Sequence, residues 1–153
     1  MADAPPVSAG DYAASIGTTG FDSSVLLPNG TWLYENGIFR AVIGVRFAEV
    51  TDGLSNTLLV GEKHVPAGLE GGEPWDCGIY DGHNPACNTR PAGPAFPLAV
   101  SRNDTGWKFG GHHPGVCQFV FGDGSVHLLV NSIDPVTLGL LAQRNDGQVI
   151  PPY

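Results

Sequence analysis

The stretch Val116-Cys117-Gln118-Phe119-Val120-Phe121-Gly122-Asp123-Gly124-Ser125-Val126-His127-Leu128-Leu129-Val130 decides the fold. Two runs of β-branched and aromatic residues flank Asp123-Gly124, the pair favoured by a two-residue type I′ hairpin turn, where both turn residues take positive φ. With that turn, Phe121 faces Val126, Phe119 faces Leu128 and Cys117 faces Val130 on one side of the ribbon. Gln118/Leu129, Val120/His127 and Gly122/Ser125 fall on the other side. The first set is uniformly apolar and predicts the core face, so Cys117 is expected to be a buried thiol and His127 to lie on the more polar face.

Outward from this hairpin, Thr57-Leu58-Leu59-Val60-Gly61-Glu62-Lys63 reads as a central strand, and residues 38–50 carry the β-branched and aromatic content of another. Trp32 and Tyr34 alternate around Leu33 between turn signals at Asn29-Gly30 and Asn36-Gly37. A helix competes for residues 49–59, since Asp52 or Ser55 can cap one. Downstream, Pro135 to Arg144 reads as a short helix capped by Asp134 and stopped by Asn145-Asp146-Gly147. Residues 1–20 look like an extended arm, with 1–10 flexible, and residues 64–106 like a long Gly/Pro-rich variable loop region. The expected architecture is α+β: one antiparallel β-rich domain over residues 1–153, the 116–130 hairpin central, with long loops and one short C-terminal helix.

Composition sets limits. The chain has 22 Gly and 13 Pro, which interrupt helices, while a hydrophobic content of 42% is too high for disorder. Net charge is −8 with seven scattered Lys and Arg, so no basic cluster exists to bind nucleic acid or an anionic membrane. No apolar run approaches the ~20 residues that span a bilayer. The start, Met1-Ala2-Asp3-Ala4-Pro5-Pro6, lacks the basic and apolar parts of a signal peptide. Cys77 and Cys87 are spaced for a small disulfide ring, which stabilises by about 2–3 kcal/mol.

Phe109-Gly110-Gly111-His112-His113-Pro114-Gly115 leads into Phe121-Gly122-Asp123-Gly124, with nine residues between His113 and Asp123. This His-x9-Asp-Gly pattern resembles the C-terminal domain of a bacterial prepilin-like, pseudopilin-like family of unknown function. Three further segments agree in order: Asp11-Tyr12-Ala13-Ala14; Asp52-Gly53-Leu54-Ser55-Asn56-Thr57 with Val60-Gly61-Glu62; and Leu141 to Ile150. The resemblance marks His113, Asp123, Gly124, Asp52, Gly53, Ser55, Asn56, Thr57 and Glu62 as motif residues. Family members begin with a prepilin cleavage site and a long apolar helix, and this sequence shows neither. The resemblance therefore covers the soluble C-terminal part, Met1 is expected to follow a processing boundary, and the domain is expected outside the cytoplasm, at the cell surface or in the periplasm.

Catalysis finds little support in these residues. If 116–121 is extended, ten steps at ~3.3 Å put His113 roughly 30 Å from Asp123, so a turn and a loop fastener are the expected roles. No Gly-x-Ser-x-Gly elbow is present, and Glu49, Asp52 and Glu62 form no evident carboxylate pair. A hydrolase would need a pocket lined by Glu62, His64 and His113. For zinc, His64, His83, His112, His113 and His127 lack ligand spacing. Calcium is better placed, with oxygen ligands at Glu70, Glu73, Asp76, Asp81 and Asn84, and for a metal in general the candidates are Asp76, Asp81, Asn84, His112 and His113. Trp75, Tyr80 and Trp107 offer a stacking platform for polysaccharide. The expected function is a non-catalytic structural or adhesive head, with no obligate cofactor, that self-associates or binds other pilin-like subunits. A glycan- or calcium-binding module is the alternative and a hydrolase the third reading.

Overall fold

The computed structural model describes residues 9–20, 25–33, 35–40, 43–80 and 84–153. Among them the strands are β1 Tyr12–Ser15, β2 Val25–Leu26, β3 Trp32–Leu33, β4 Leu58–Glu62, β5 Thr89–Arg90, β6 Val116–Phe121 and β7 Val126–Val130, and the helix is α1 Pro135–Ala142. Five strands form one sheet in the order β5-β1-β4-β6-β7, antiparallel throughout except for β1 beside β5. β2 and β3 form a separate two-stranded ribbon around the Asn29-Gly30 turn. The fold is the expected β-rich α+β class, and β4 is its middle strand.

The hairpin departs from expectation in register and position. Its loop has three residues, Gly122 to Gly124, because the Phe121 amide donates to Ser125 O at 2.9 Å and the Gly124 amide to Phe121 O at 2.9 Å. Gly124 has φ 86°, the left-handed conformation this bulged turn requires. A two-residue turn fails because the Gly122 amide is already bonded to Thr57 O at 2.9 Å. Phe119 therefore pairs with His127 and Cys117 with Leu129. One step of slip turns a strand over. Cys117, Phe119 and Phe121 keep their core positions and Leu129 joins them, whereas Val126, Leu128 and Val130 are exposed. His127 lies over the Phe121 ring, with centroids 4.5 Å apart. The hairpin forms an edge of the sheet and does not occupy its centre.

Two further expectations change. Residues 12–15 are no arm but an inner strand, with Ala13, Ser15 and Ile16 buried. In 38–50 the described residues form no strand. Phe47–Glu49 is a 3-10 turn, closed by the Glu49 carboxylate accepting from the Arg46 amide at 2.9 Å, and Ile43 and Phe47 are exposed. Strand-type residues need a sheet edge to pair with, and a local turn wins without one. The helical alternative for 49–59 reduces to this turn and a second at Leu54–Asn56. Tyr34 and residues 1–8 lie outside the described residues.

The core packs α1 against the sheet through Leu138 and Leu141, beside Leu58, Phe109, Phe119, Phe121 and Leu129. Phe109 and Phe119 meet edge to face, centroids 5.1 Å apart at 68°. Gly61 permits this approach, because a Cβ there would stand 2.3 Å from the Phe119 ring. Asp134 caps α1 as expected, its Oδ2 accepting from the Thr137 amide at 2.9 Å. Across residues 64–106 the buried Arg90 serves as an anchor. Its guanidinium donates to five backbone carbonyls: Lys108 at 3.1 Å, Ala86 at 2.5 Å, Thr89 at 2.8 Å, His64 at 3.2 Å and Trp75 at 2.8 Å. Burial pulls its pKa down to about 10, with Asp76 opposing the shift, so the group stays charged at neutral pH. Cys77 and Cys87 form the expected disulfide in the same region.

Candidate functional site

The last residue of β4, Glu62, is buried and organises the motif segments around it. Its Oε2 accepts from the Gln118 amide at 2.7 Å, and its backbone oxygen accepts from the Gly110 amide at 2.9 Å. His113 Nε2 stands 3.1 Å from Glu62 Oε1. Gly111 packs on the same carboxylate, so closely that a Cβ there would fall 2.4 Å from Oε2. The Gly-Gly-His-His run therefore folds back over the end of the sheet and is fastened there. The folded loop carries His113 to the base of β6, while Asp123 sits at the hairpin tip beyond its other end.

Around this pair opens a cleft of about 420 Å³, lined by Asp11, Tyr12, Glu62, Lys63, His112 and His113 among others. Lys63 points inward to Asp76 Oδ1 at 2.9 Å. Burial raises the Asp76 pKa, but the Gly71 amide and the Lys63 ammonium outweigh it and leave the carboxyl below its ordinary value. His64 does not line the cleft. It is buried, its Nε2 2.8 Å from Asp104 O. Glu62 and His113 thus meet as a hydrolase would need, but without the third residue expected of it.

The second motif segment closes the opposite end. Asp52 accepts from the Asp146 amide at 2.7 Å and the Gly147 amide at 2.9 Å, tying the Leu141 to Ile150 segment to the loop before β4. Asn56 Nδ2 donates to Asp52 O at 2.9 Å and Thr57 Oγ1 to Gly53 O at 3.0 Å, bonds that shape that loop. Gly53 takes φ 96°, while Ser55 lies exposed in the 3-10 turn. Asn36, which sequence reasoning missed, bridges Thr18 and Gln143 at 2.8 Å each. An Asn before Gly signals a turn and nothing more in sequence.

At the hairpin tip, Asp123, Ser125 and His127 form a line of hydrogen bonds. Ser125 Oγ is 2.6 Å from Asp123 Oδ1 and 2.9 Å from His127 Nε2. The Ser125 hydroxyl and amide hold the Asp123 carboxyl below its ordinary pKa, marking it as the acceptor of the hydroxyl proton. His127 then donates to Ser125, the reverse of the polarity that activates a serine nucleophile.

The loop candidates are dispersed. Asp76 is committed to Lys63 and to the Gly71 amide at 2.9 Å, and Asn84 caps the 3-10 turn Pro85–Cys87 through the Ala86 amide at 3.2 Å. Asp81 and His83 lie outside the described residues, among which no three His, Cys, Asp or Glu side chains converge as a metal site. Tyr80 is 93% exposed, and the Trp107 indole is tied to Thr89 O at 2.6 Å. Trp75 is half-buried, its carbonyl held by Arg90. Cys117 is a free, fully buried thiol whose pKa burial, with the Glu62 charge, pushes up to about 12.

The fold and site define a small β-rich domain whose acidic motif residues staple loops onto the two ends of a five-stranded sheet. The chain belongs to the family described as "Protein of unknown function (DUF1559)", whose model matches residues 4–136. This is the family of prepilin-like domains to which the His-x9-Asp-Gly pattern points. No curated protein and no solved structure matches the chain. Among the described residues, no helix is long and apolar enough to cross a membrane.

Proposed function

We propose that this chain is a non-catalytic structural or adhesive head of a pilin- or pseudopilin-like protein, working outside the cytoplasm. One observation carries the reading: each acidic motif residue has a carboxylate oxygen engaged in bonds that hold the fold. Glu62 holds the Gln118 amide and His113, Asp52 holds two amides of the closing segment, and Asp123 holds Ser125. Carboxylates so engaged are poor candidates for moving protons to a substrate. The Cys77–Cys87 disulfide fits an oxidising compartment. Incubation with a polysaccharide panel tests the reading: intact polymers are expected, and released products would overturn it.

A glycan- or calcium-binding module is the second reading, favoured by the exposed Tyr80 and by the cleft beside Asp11 and Glu70. Melting with EDTA, calcium and zinc separates the two. A ligand at 100 times its Kd adds about 2.7 kcal/mol, a rise of roughly 5–10 °C at this size. No rise favours the plain structural head.

A further inference from the structure

β7 ends the sheet, and among the described residues no strand pairs with its outer edge. The Phe121/Ser125 pair sets the ladder, so residues 127 and 129 bond inward to β6. Val126 and Leu128 then direct their amide and carbonyl groups away from the sheet, and among the described residues nothing pairs with them. The two residues are 65% and 61% exposed. Proteins ordinarily blunt such an edge with lysine, proline or a bulge. The strand Val-His-Leu-Leu-Val carries none of these and no carboxylate, in a chain of net charge −8.

We propose that this edge pairs with β7 of a second copy of the chain, antiparallel and two-fold, with His127 opposite His127. In that register Val126 exchanges both backbone bonds with Leu128 of the other copy, and the two-fold repeats the exchange. Four bonds form, and every free edge group of Val126 and Leu128 is used. A register centred on Leu128 is worse, because it needs the Val130 carbonyl, which already accepts from the Ile133 amide at 2.9 Å. A second copy is the favoured occupant because the edge is self-complementary: the two-fold register satisfies the free groups of both copies, and the strand brings no carboxylate, lysine or arginine to the contact. The Val126 and Leu128 side chains of both copies then cluster on one face, continuing an apolar strip that includes Val60 and Val120. The pairing stands on β7 alone and is independent of the head-domain reading.

Sedimentation of the intact chain across a wide concentration range tests it. A monomer–dimer equilibrium is expected, and a strict monomer at millimolar concentration overturns the proposal. The double variant Val126→Lys/Leu128→Lys places lysine against lysine across the two-fold and is expected to stay monomeric with an unchanged melting temperature. Mixing it with Val126→Glu/Leu128→Glu should restore dimers. Lysine-variant dimers, or a mixture that stays monomeric, refute the edge contact. His127→Cys reads the register: it is expected to give an interchain disulfide, because non-hydrogen-bonded partners bring their Cα atoms to about 4.5 Å. Cys117 is buried and does not compete. Dimers without this crosslink refute the register.

Discussion

Glu62 Oε1 lies 3.1 Å from Nε2 of His113, yet the two partners are unequally placed: the Glu62 side chain is 11% exposed and that of His113 is 55% exposed. The buried carboxylate also holds the Gln118 amide of β6, whereas the exposed imidazole has water as an alternative partner. The pair is therefore asymmetric in what it contributes to stability.

Substitution separates the two roles. Glu62→Ala leaves the Gln118 amide without its acceptor and is expected to cost about 1–3 kcal/mol. His113→Ala breaks a largely exposed pair and should cost about 0–1 kcal/mol. Each kcal/mol lowers the melting temperature by roughly 2–4 °C at this chain length. Calorimetry checks the order, and a His113 variant as damaging as the Glu62 variant would contradict the fastening role.

Asp52 acts on the far end of the chain. Asp52→Ala removes the acceptor for the Asp146 and Gly147 amides, and a loss of about 1–2 kcal/mol is expected. Hydrogen exchange should accelerate over residues 144–150 before it changes in β4 or β6. Uniform acceleration across the sheet would show that Asp52 does more than pin this segment.

Arg90 holds residues 64–106 through five backbone carbonyls, of which Thr89 O is shared with the Trp107 indole. Arg90→Lys keeps the charge but supplies three donors in place of five, and Arg90→Met supplies none. Removing one side of a buried charged network costs about 3–5 kcal/mol, and the methionine variant should approach that figure. Denaturant midpoints measure it, and a loss under ~1 kcal/mol for Arg90→Met would refute the anchoring role.

Acid should weaken the fold in a defined window. Asp76, Asp123 and Asp134 have folded pKa values below the ordinary one. Between those values and about pH 4 the unfolded chain binds more protons, so stability is full above that range and falls as pH drops through the folded values. Asp76→Asn should lower the melting temperature at pH 7 more than at pH 3. An equal loss at both would remove Asp76 from the acid response.

Legibility followed range. The strand content of 57–63 and 116–130, the Asp134 cap and the Cys77–Cys87 bond each depend on neighbours close in sequence, and each was readable. Segment 38–50 misled because β-branched residues report only suitability for a sheet, and its described residues take no place in one. Segment 12–15 misled the other way. Small residues gave no strand pattern, yet Ala13 fits where β1 passes beside Gly61.

By itself, the sequence determined the family, the β-rich class, the helix and the residues whose types are unusual enough to mark. Only the tertiary structure decided how they meet. It set the hairpin register, because the Gly122 amide is claimed by Thr57, far away in sequence. It brought His113 to Glu62 instead of Asp123, and it gave Arg90 its five carbonyls. A backbone donor has one partner at a time. Which distant group wins it depends on how the whole chain packs, and local pattern carries no record of that competition.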